Sequence, residues 1–335
     1  MKLSVIGAGS WGSALTELAT RREHDVLLWA HDPKVAEAIR ETRSNPFYLP
    51  RARFTSHVQV TNSLSEAAAF SNTIMMVTPS HYYRKILSEL AESLENPVRL
   101  ISATKGIENV SLKRISEISQ EVLGDLLESF ATLSGPTFAV EVSRDDPSAA
   151  VIASTDAEFA TEVQAELSCR SFRIYRSEDV TGVEIAGALK NVIAIAAGVI
   201  EGLGFGSNTN AALVTRGLHE MERLGFAFGG EAATFSGLAG MGDLVLTCTG
   251  SLSRNRSVGV SLGKGQQLEQ ILAETRLIAE GVKTCRSAHD LAEREGVDMP
   301  IIREMYRILY ENESPRNAID RLMNRSLKPE AQRGR

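Results

Sequence analysis

The sequence predicts an α/β fold, in which an N-terminal domain with a mostly parallel sheet is followed by an all-helical C-terminal domain. Three observations predict it. Short β-rich runs alternate with helical patterns from residue 3 to about residue 178, as strands joined by crossover helices do. From Gly182 onward strand-like alternation gives way to long helical patterns. A glycine-rich turn, 7-GAGSWG-12, stands between the first strand and the first helix.

Taken in order, strands are expected at 3–6, 26–29, 73–77, 98–102, 131–133, 149–153 and 172–175, each a short apolar or β-branched run. Helices are expected at 11–22, 33–41, 82–94, 112–123 and 157–167, where apolar residues recur every three or four positions. Asp32-Pro33 reads as the start signal of the second of these. Helical patterns then cover 183–203, 207–224, 229–235, 257–262, 267–272, 283–294 and 299–311. The glycine clusters 202-GLGFG-206, 237-GLAGMGD-243 and 263-GKG-265 punctuate them. The expected division is a nucleotide-binding domain at 1–180, a helical substrate and catalytic domain at 181–328, and a polar tail at 329–335.

A chain of 335 residues suits two domains, and 43% hydrophobic with 23% charged residues is ordinary globular composition. Lys and Arg number 36 against 42 Asp and Glu, a net charge of −6 that argues against nucleic acid or an anionic membrane as partner. The cysteines, Cys169, Cys248 and Cys285, form no CxxC pair, so neither a disulfide framework nor a metal site is expected. They read as buried thiols of a reducing compartment. The first residues enter a strand-like run at once, without an apolar leader. The longest apolar run, 185–200, is interrupted by Lys190 and Asn191, so no stable membrane insertion is expected. The expectation is a cytoplasmic protein, with a helical second domain of the kind that often supports a homodimer.

The turn matches G-x-G-x-x-G in the strand-to-helix context its mechanism requires. Gly7 permits the tight turn, Gly9 lets a pyrophosphate approach the backbone, and Gly12 lets the helix pack on the sheet. The helix N-terminus then offers free amides to the phosphates. This is a Rossmann-type signature for NAD or NADP. At the end of the second strand stands 29-WAHDP-33. His31 suits a 2′-phosphate and Asp32 suits a plain ribose, while Asp32-Pro33 also reads as a simple helix start, so cofactor preference stays open.

Ligands of such sheets bind beyond the carboxyl ends of the strands. Three loops end there: 78-TPS-80, 103-ATKG-106 carrying Lys105, and 134-SGPTFA-139. Lys190 is the most informative residue, because it lies in 185-IAGALKNVIAIAAGVI-200, a helix apolar on nearly every face. Burial lowers a lysine's pKa toward neutrality, which suits proton transfer. Asp243, read as lying in a glycine-rich loop, is its candidate partner. Ser253-Arg254-Asn255-Arg256, read as a loop, has the donors of a phosphate site. Alternatively it is a basic turn capping the helix at 257–262. The histidines carry little signal, and Trp11 and Phe138 suit either a cofactor wall or core packing.

In combination these motifs resemble the bacterial NAD(P)-dependent glycerol-3-phosphate dehydrogenase family over nearly the whole chain. The matching stretches include 6-IGAGSWGSAL-15, 104-TKGIE-108, 134-SGPTFAVEV-142, 186-AGALKNVIAIAAG-198 and 236-SGLAGMGDLVLTCTGSLSRNRSVG-259. The resemblance implies cofactor contacts at Ser10, Trp11, His31, Lys105, Ala139, Arg254, Ile278 and Glu280. It implies substrate contacts at Lys105, Gly135, Thr137, Lys190, Asp243, Ser253, Arg254 and Asn255, with Lys190 as the proton donor and acceptor. The implied substrate pair, dihydroxyacetone phosphate and sn-glycerol 3-phosphate, rests on the resemblance alone, as does a role in glycerophospholipid synthesis. The rival readings are a 6-phosphogluconate- or β-hydroxyacid-type dehydrogenase and a non-catalytic NAD(P)-sensing module, which would not need Lys190.

Overall fold

The computed structural model describes residues 1–274 and 279–330. The chain opens with β1 (Lys2–Ile6), α1 (Ser10–Thr20), β2 (Asp25–Trp29), α2 (Pro33–Thr42), β3 (Val58–Thr61), α3 (Leu64–Phe70), β4 (Thr73–Met76) and α4 (Ser80–Ala91). It continues through β5 (Val98–Ser102), α5 (Ile115–Leu123), β6 (Leu127–Ser134), α6 (Ala139–Ser143), β7 (Ser148–Ala153), α7 (Ala157–Leu167) and β8 (Phe172–Ser177). Helices follow: α8 (Val180–Gly202), α9 (Ser207–Ala227), α10 (Ala232–Ser236), α11 (Asp243–Thr249), α12 (Arg254–Gly263), α13 (Leu268–Glu274), α14 (Glu280–Glu295), α15 (Pro300–Tyr310) and α16 (Pro315–Met323).

The strands form one sheet in the order β3-β2-β1-β4-β5-β6-β7-β8. Neighbours are parallel except β6 and β7, which run antiparallel. The chain reverses its direction of growth between β1 and β4, which opens a crevice at their carboxyl ends. Both faces of the sheet are covered. Leu3, Val5 and Leu28 join one apolar cluster, while Ile6, Trp29, Ile74 and Met76 join another on the opposite side.

All seven expected strands form, but β3 is additional: 58-VQVT-61 is too short for its alternation to stand out. Strand β6 begins at Leu127 rather than 131. α3, α6, α11 and α16 were likewise not foreseen.

The second domain is organised around α8, whose 23 residues are buried from Gly182 to Ile200. This helix is long and apolar enough to cross a membrane, yet its apolar window is wholly enclosed by protein. Its interface with α12 is a backbone-to-backbone contact. A Cβ on Gly198 would lie 2.0 Å from the Arg256 carbonyl oxygen, and one on Gly259 would lie 2.0 Å from that of Ile195. The glycines thus let α12 settle onto α8 and carry its first turn toward Lys190. In Gly259→Ala the two helices are forced apart, costing about 3 kcal/mol. Thermal denaturation is expected to show Tm lower by roughly 5–10 °C; an unchanged Tm would refute the contact.

Candidate active site

The β1–α1 turn lies at the crevice. Gly7 has φ +125°, in the region where side chains are strained, and a Cβ there would meet the Val77 carbonyl oxygen at 2.5 Å. A Cβ on Gly12 would lie 1.8 Å from the Gly7 carbonyl oxygen, so α1 starts as close to the turn as backbone allows. Gly9 differs: a Cβ there has nothing within 4 Å. The middle glycine therefore borders open space at the start of α1, where no side chain caps the helix. Free amides, a positive helix end and that space fit a dinucleotide pyrophosphate. Because Gly9 has an ordinary φ of −72°, Gly9→Val should fold normally. The new side chain should nonetheless weaken NADPH binding by roughly 10²-fold, measured by fluorescence titration. Wild-type affinity in that variant would remove the pyrophosphate from this spot.

A neighbouring loop is stitched onto the turn. Asn45, fully buried, donates its amide to the Ala8 carbonyl at 2.8 Å and the Ser13 hydroxyl at 2.9 Å, while the Ser10 hydroxyl donates to the Tyr48 carbonyl at 2.8 Å. Trp11 and Ala139 are partly buried on the same apolar cluster. His31 is exposed just past β2, its ring tilted on Trp29 at 5.7 Å between centroids. Asp32 takes the plainer of its readings: its carboxylate accepts the Lys34 N–H at 2.9 Å and caps α2.

Past β5 and β6, charged groups converge. Lys105 donates to Asp243 Oδ2 at 2.6 Å, and Lys190 donates to Asp243 Oδ1 at 2.9 Å. Lys190 also donates to the Thr247 hydroxyl at 2.8 Å, which itself donates to the Asp243 carbonyl at 2.6 Å. The Lys105 stem lies along α8 beside Gly187, where a Cβ would stand in ordinary contact with Lys105 Cγ at 3.6 Å. Gly135, at φ +147°, directs its carbonyl to Lys105 Nζ at 3.5 Å, and the Thr137 hydroxyl donates to the same carbonyl at 3.3 Å. Burial lowers the Lys190 pKa to about 8 against the opposing pull of Asp243. Asp243 stays below the usual carboxylate range, because its two lysine partners outweigh the upward push of burial.

Two expectations are corrected here. Asp243 is not in a loop but opens α11, after a π-helical turn at Leu238–Gly242. Ser253–Arg256 is not a loop either: Ser253 caps α12, its hydroxyl accepting the Arg256 N–H at 3.3 Å, and Arg254 is the first helical residue. That combines both sequence readings, since a helix N-terminus carrying Arg254 is itself an anion site. Asn255 is buried, donating to Asn191 Oδ1 at 3.0 Å and accepting the Gly281 N–H at 3.0 Å, which ties α12 to α8 and α14. Arg256 turns away to Glu201 at 2.5 Å. Glu280 opens α14; burial raises its pKa, opposed by Arg254, the Ser80 N–H, Lys105 and Lys190. Ile278 lies outside the described residues. The sequence reading overlooked Thr247, whose signal was its i+4 spacing from Asp243, hidden because 243-DLVLTCT-249 was not read as a helix.

Fold and site together define a two-domain nicotinamide-dinucleotide dehydrogenase with a lysine of the helical domain at the mouth of the cofactor crevice. Family models for NAD-dependent glycerol-3-phosphate dehydrogenase match the N-terminal part over residues 2–160 and the C-terminal part over residues 179–320. The chain is 51% identical over 334 residues to a glycerol-3-phosphate dehydrogenase [NAD(P)+] of Geobacter metallireducens, covering 99% of each chain. It is 49% identical to one from Citrifermentans bemidjiense, covering 98% of each. The crystal structure of glycerol-3-phosphate dehydrogenase from Coxiella burnetii is similar, with a TM-score of 0.93 at 34% identity, covering 97% of this chain and 99% of that one. The chain belongs to the NAD(P)-dependent glycerol-3-phosphate dehydrogenase family.

Proposed function

We propose that this protein interconverts dihydroxyacetone phosphate and sn-glycerol 3-phosphate using NADH or NADPH, providing the glycerol phosphate for glycerophospholipid synthesis in the cytoplasm. The buried Lys190–Asp243–Lys105 cluster at the cofactor crevice carries the reading. Residues 1–180 hold the cofactor and 181–328 supply substrate and catalytic groups, with 329–335 a polar tail; the end of β8 at Ser177 and the start of α8 at Val180 support that division.

When bound, the nicotinamide supplies the hydride. Gly7, Gly9 and Gly12 shape the pyrophosphate cradle, with Ser10, Trp11, His31, Ala139 and Glu280 around the rest of the cofactor. Arg254 and the first amides of α12 hold the substrate phosphate, with the Ser253 hydroxyl and the second amide hydrogen of Asn255 as neutral donors. Gly135 and Thr137 line the opposite wall. As charge develops on the carbonyl oxygen, the Lys190 ammonium stabilises it and delivers the proton, leaving C–H and O–H bonds where the C=O π bond was. Asp243 keeps Lys190 charged despite its burial, and Lys105 adds a second positive group.

The decisive assay follows NAD(P)H absorbance with dihydroxyacetone phosphate, 6-phosphogluconate and small β-hydroxyacids as alternatives. Turnover confined to the three-carbon phosphate pair supports the reading. Preference for either alternative class, or cofactor binding without any turnover, overturns it.

A further inference from the structure

A single carboxylate joining two lysines is more than an ion pair, since it links two proton carriers of different exposure. Asp243 Oδ1 accepts from Lys190 and Oδ2 from Lys105, at 2.9 and 2.6 Å. The Lys190 side chain is 8% exposed and Asp243 2%, while Lys105 is 15% exposed. The second lysine is therefore the end nearest solvent. Thr247 fixes the inner end, accepting from Lys190 while donating to Asp243. The charged and titratable groups facing Lys190 are Asp243 and Cys248 on α11, Lys105 from the loop after β5, and Glu280 from α14. Burial pushes the Cys248 thiol up to about 12, so it stays neutral.

We propose that Lys105 acts through Asp243 to return a proton to Lys190 after each reduction, so that the Lys105–Asp243–Lys190 bridge is a proton relay from solvent to the buried amine. The inference rests on the function proposed above. The balance is simple. Lys190 gives one proton to the alkoxide and becomes a neutral amine. The Lys105 ammonium gives one proton to Asp243 Oδ2; the transient carboxylic acid turns about its Cβ–Cγ bond, gives that proton to the Lys190 amine and is a carboxylate again, and Lys105 is recharged from solvent. No electrons move in this step, and the carboxylate ends as it began.

Lys105→Arg tests it, because a guanidinium keeps the positive charge but does not release its proton at neutral pH. Lys105→Arg keeps the second positive charge and Lys190 starts charged, so the first turnover of NADPH oxidation should lose far less than the later ones. Steady-state kcat should fall about 10²-fold and recover as imidazole buffer is raised at constant pH. Independently of catalysis, solvent exchange of the Lys190 ammonium protons, read by 15N NMR without substrate, should slow. Lys105→Met serves as the second variant: it removes the charge as well, so its first turnover should slow too, while Lys190 proton exchange should slow as in Lys105→Arg. Unchanged exchange in both variants, or unchanged kcat in Lys105→Arg, would overturn the relay. In Lys105→Arg, equal loss of the first turnover and the steady rate would also overturn it, assigning Lys105 to the reduction itself. Wild-type protein that fails to reduce dihydroxyacetone phosphate would defeat the functional reading instead, whatever the exchange data show.

Discussion

In Lys190→Ala, kcat for reduction of dihydroxyacetone phosphate is expected to fall by about 10²–10⁴-fold, the usual worth of a positioned general acid. Cofactor affinity should survive, because the glycine turn lies in the first domain and, among the described residues, Lys190 hydrogen-bonds to Asp243 and Thr247. In that variant Asp243 keeps Lys105 as its partner, so no buried charge is left unpaired and the fold should tolerate the change. The wild-type pH profile adds a signed expectation. Burial brings Lys190 to about 8, so the reductive direction, which needs the ammonium, should lose rate as pH rises through that value. The oxidative direction needs the neutral amine and should gain rate over the same interval. Steady-state rates in both directions from pH 6 to 10 check this. Near-normal turnover in the alanine variant would end the assignment.

Asp243→Asn is expected to produce the second large effect, on stability and chemistry together. Asp243 is buried and bonded to both lysines, so neutralising it leaves two ammonium groups facing each other without a counter-charge. Breaking such a buried network costs about 3–5 kcal/mol, unless one lysine escapes by releasing its proton. Because burial and the Lys105 charge already push Lys190 down and Asp243 is the chief opposing influence, Lys190 is the one to lose it. The reductive limb should then move to lower pH, with kcat at neutral pH strongly reduced. A variant retaining wild-type Tm and an unmoved limb would show that Asp243 does not hold the lysine charged.

Legibility in the sequence followed the range of the forces involved. The glycine turn and the strand–helix alternation are local patterns, and each of the expected strands formed within a few residues. Lys190 was legible because an ionisable group in a run as apolar as 185–200 needs a reason. The helical nature of 243–249 was obscured by β-branched residues and flanking glycines, whose intrinsic preferences tertiary packing overrides. That concealment cost the reading Thr247, and similarly made Ser253 look like a loop residue rather than a helix cap.

By itself the sequence determined the order of the two domains, the cofactor turn and the residue types of the chemistry, since these depend on neighbours within a turn or a strand. Only the tertiary structure decided which acid meets which base. Lys105, Lys190 and Asp243 are far apart along the chain and come together through the crossing of α8 with the loops past β5 and β6 and the start of α11. The physical reason is that pairing is a property of packed backbones. Glycines at 198 and 259 let α8 and α12 meet backbone to backbone, and packing of that closeness around α8 turns scattered charges into one bridged cluster.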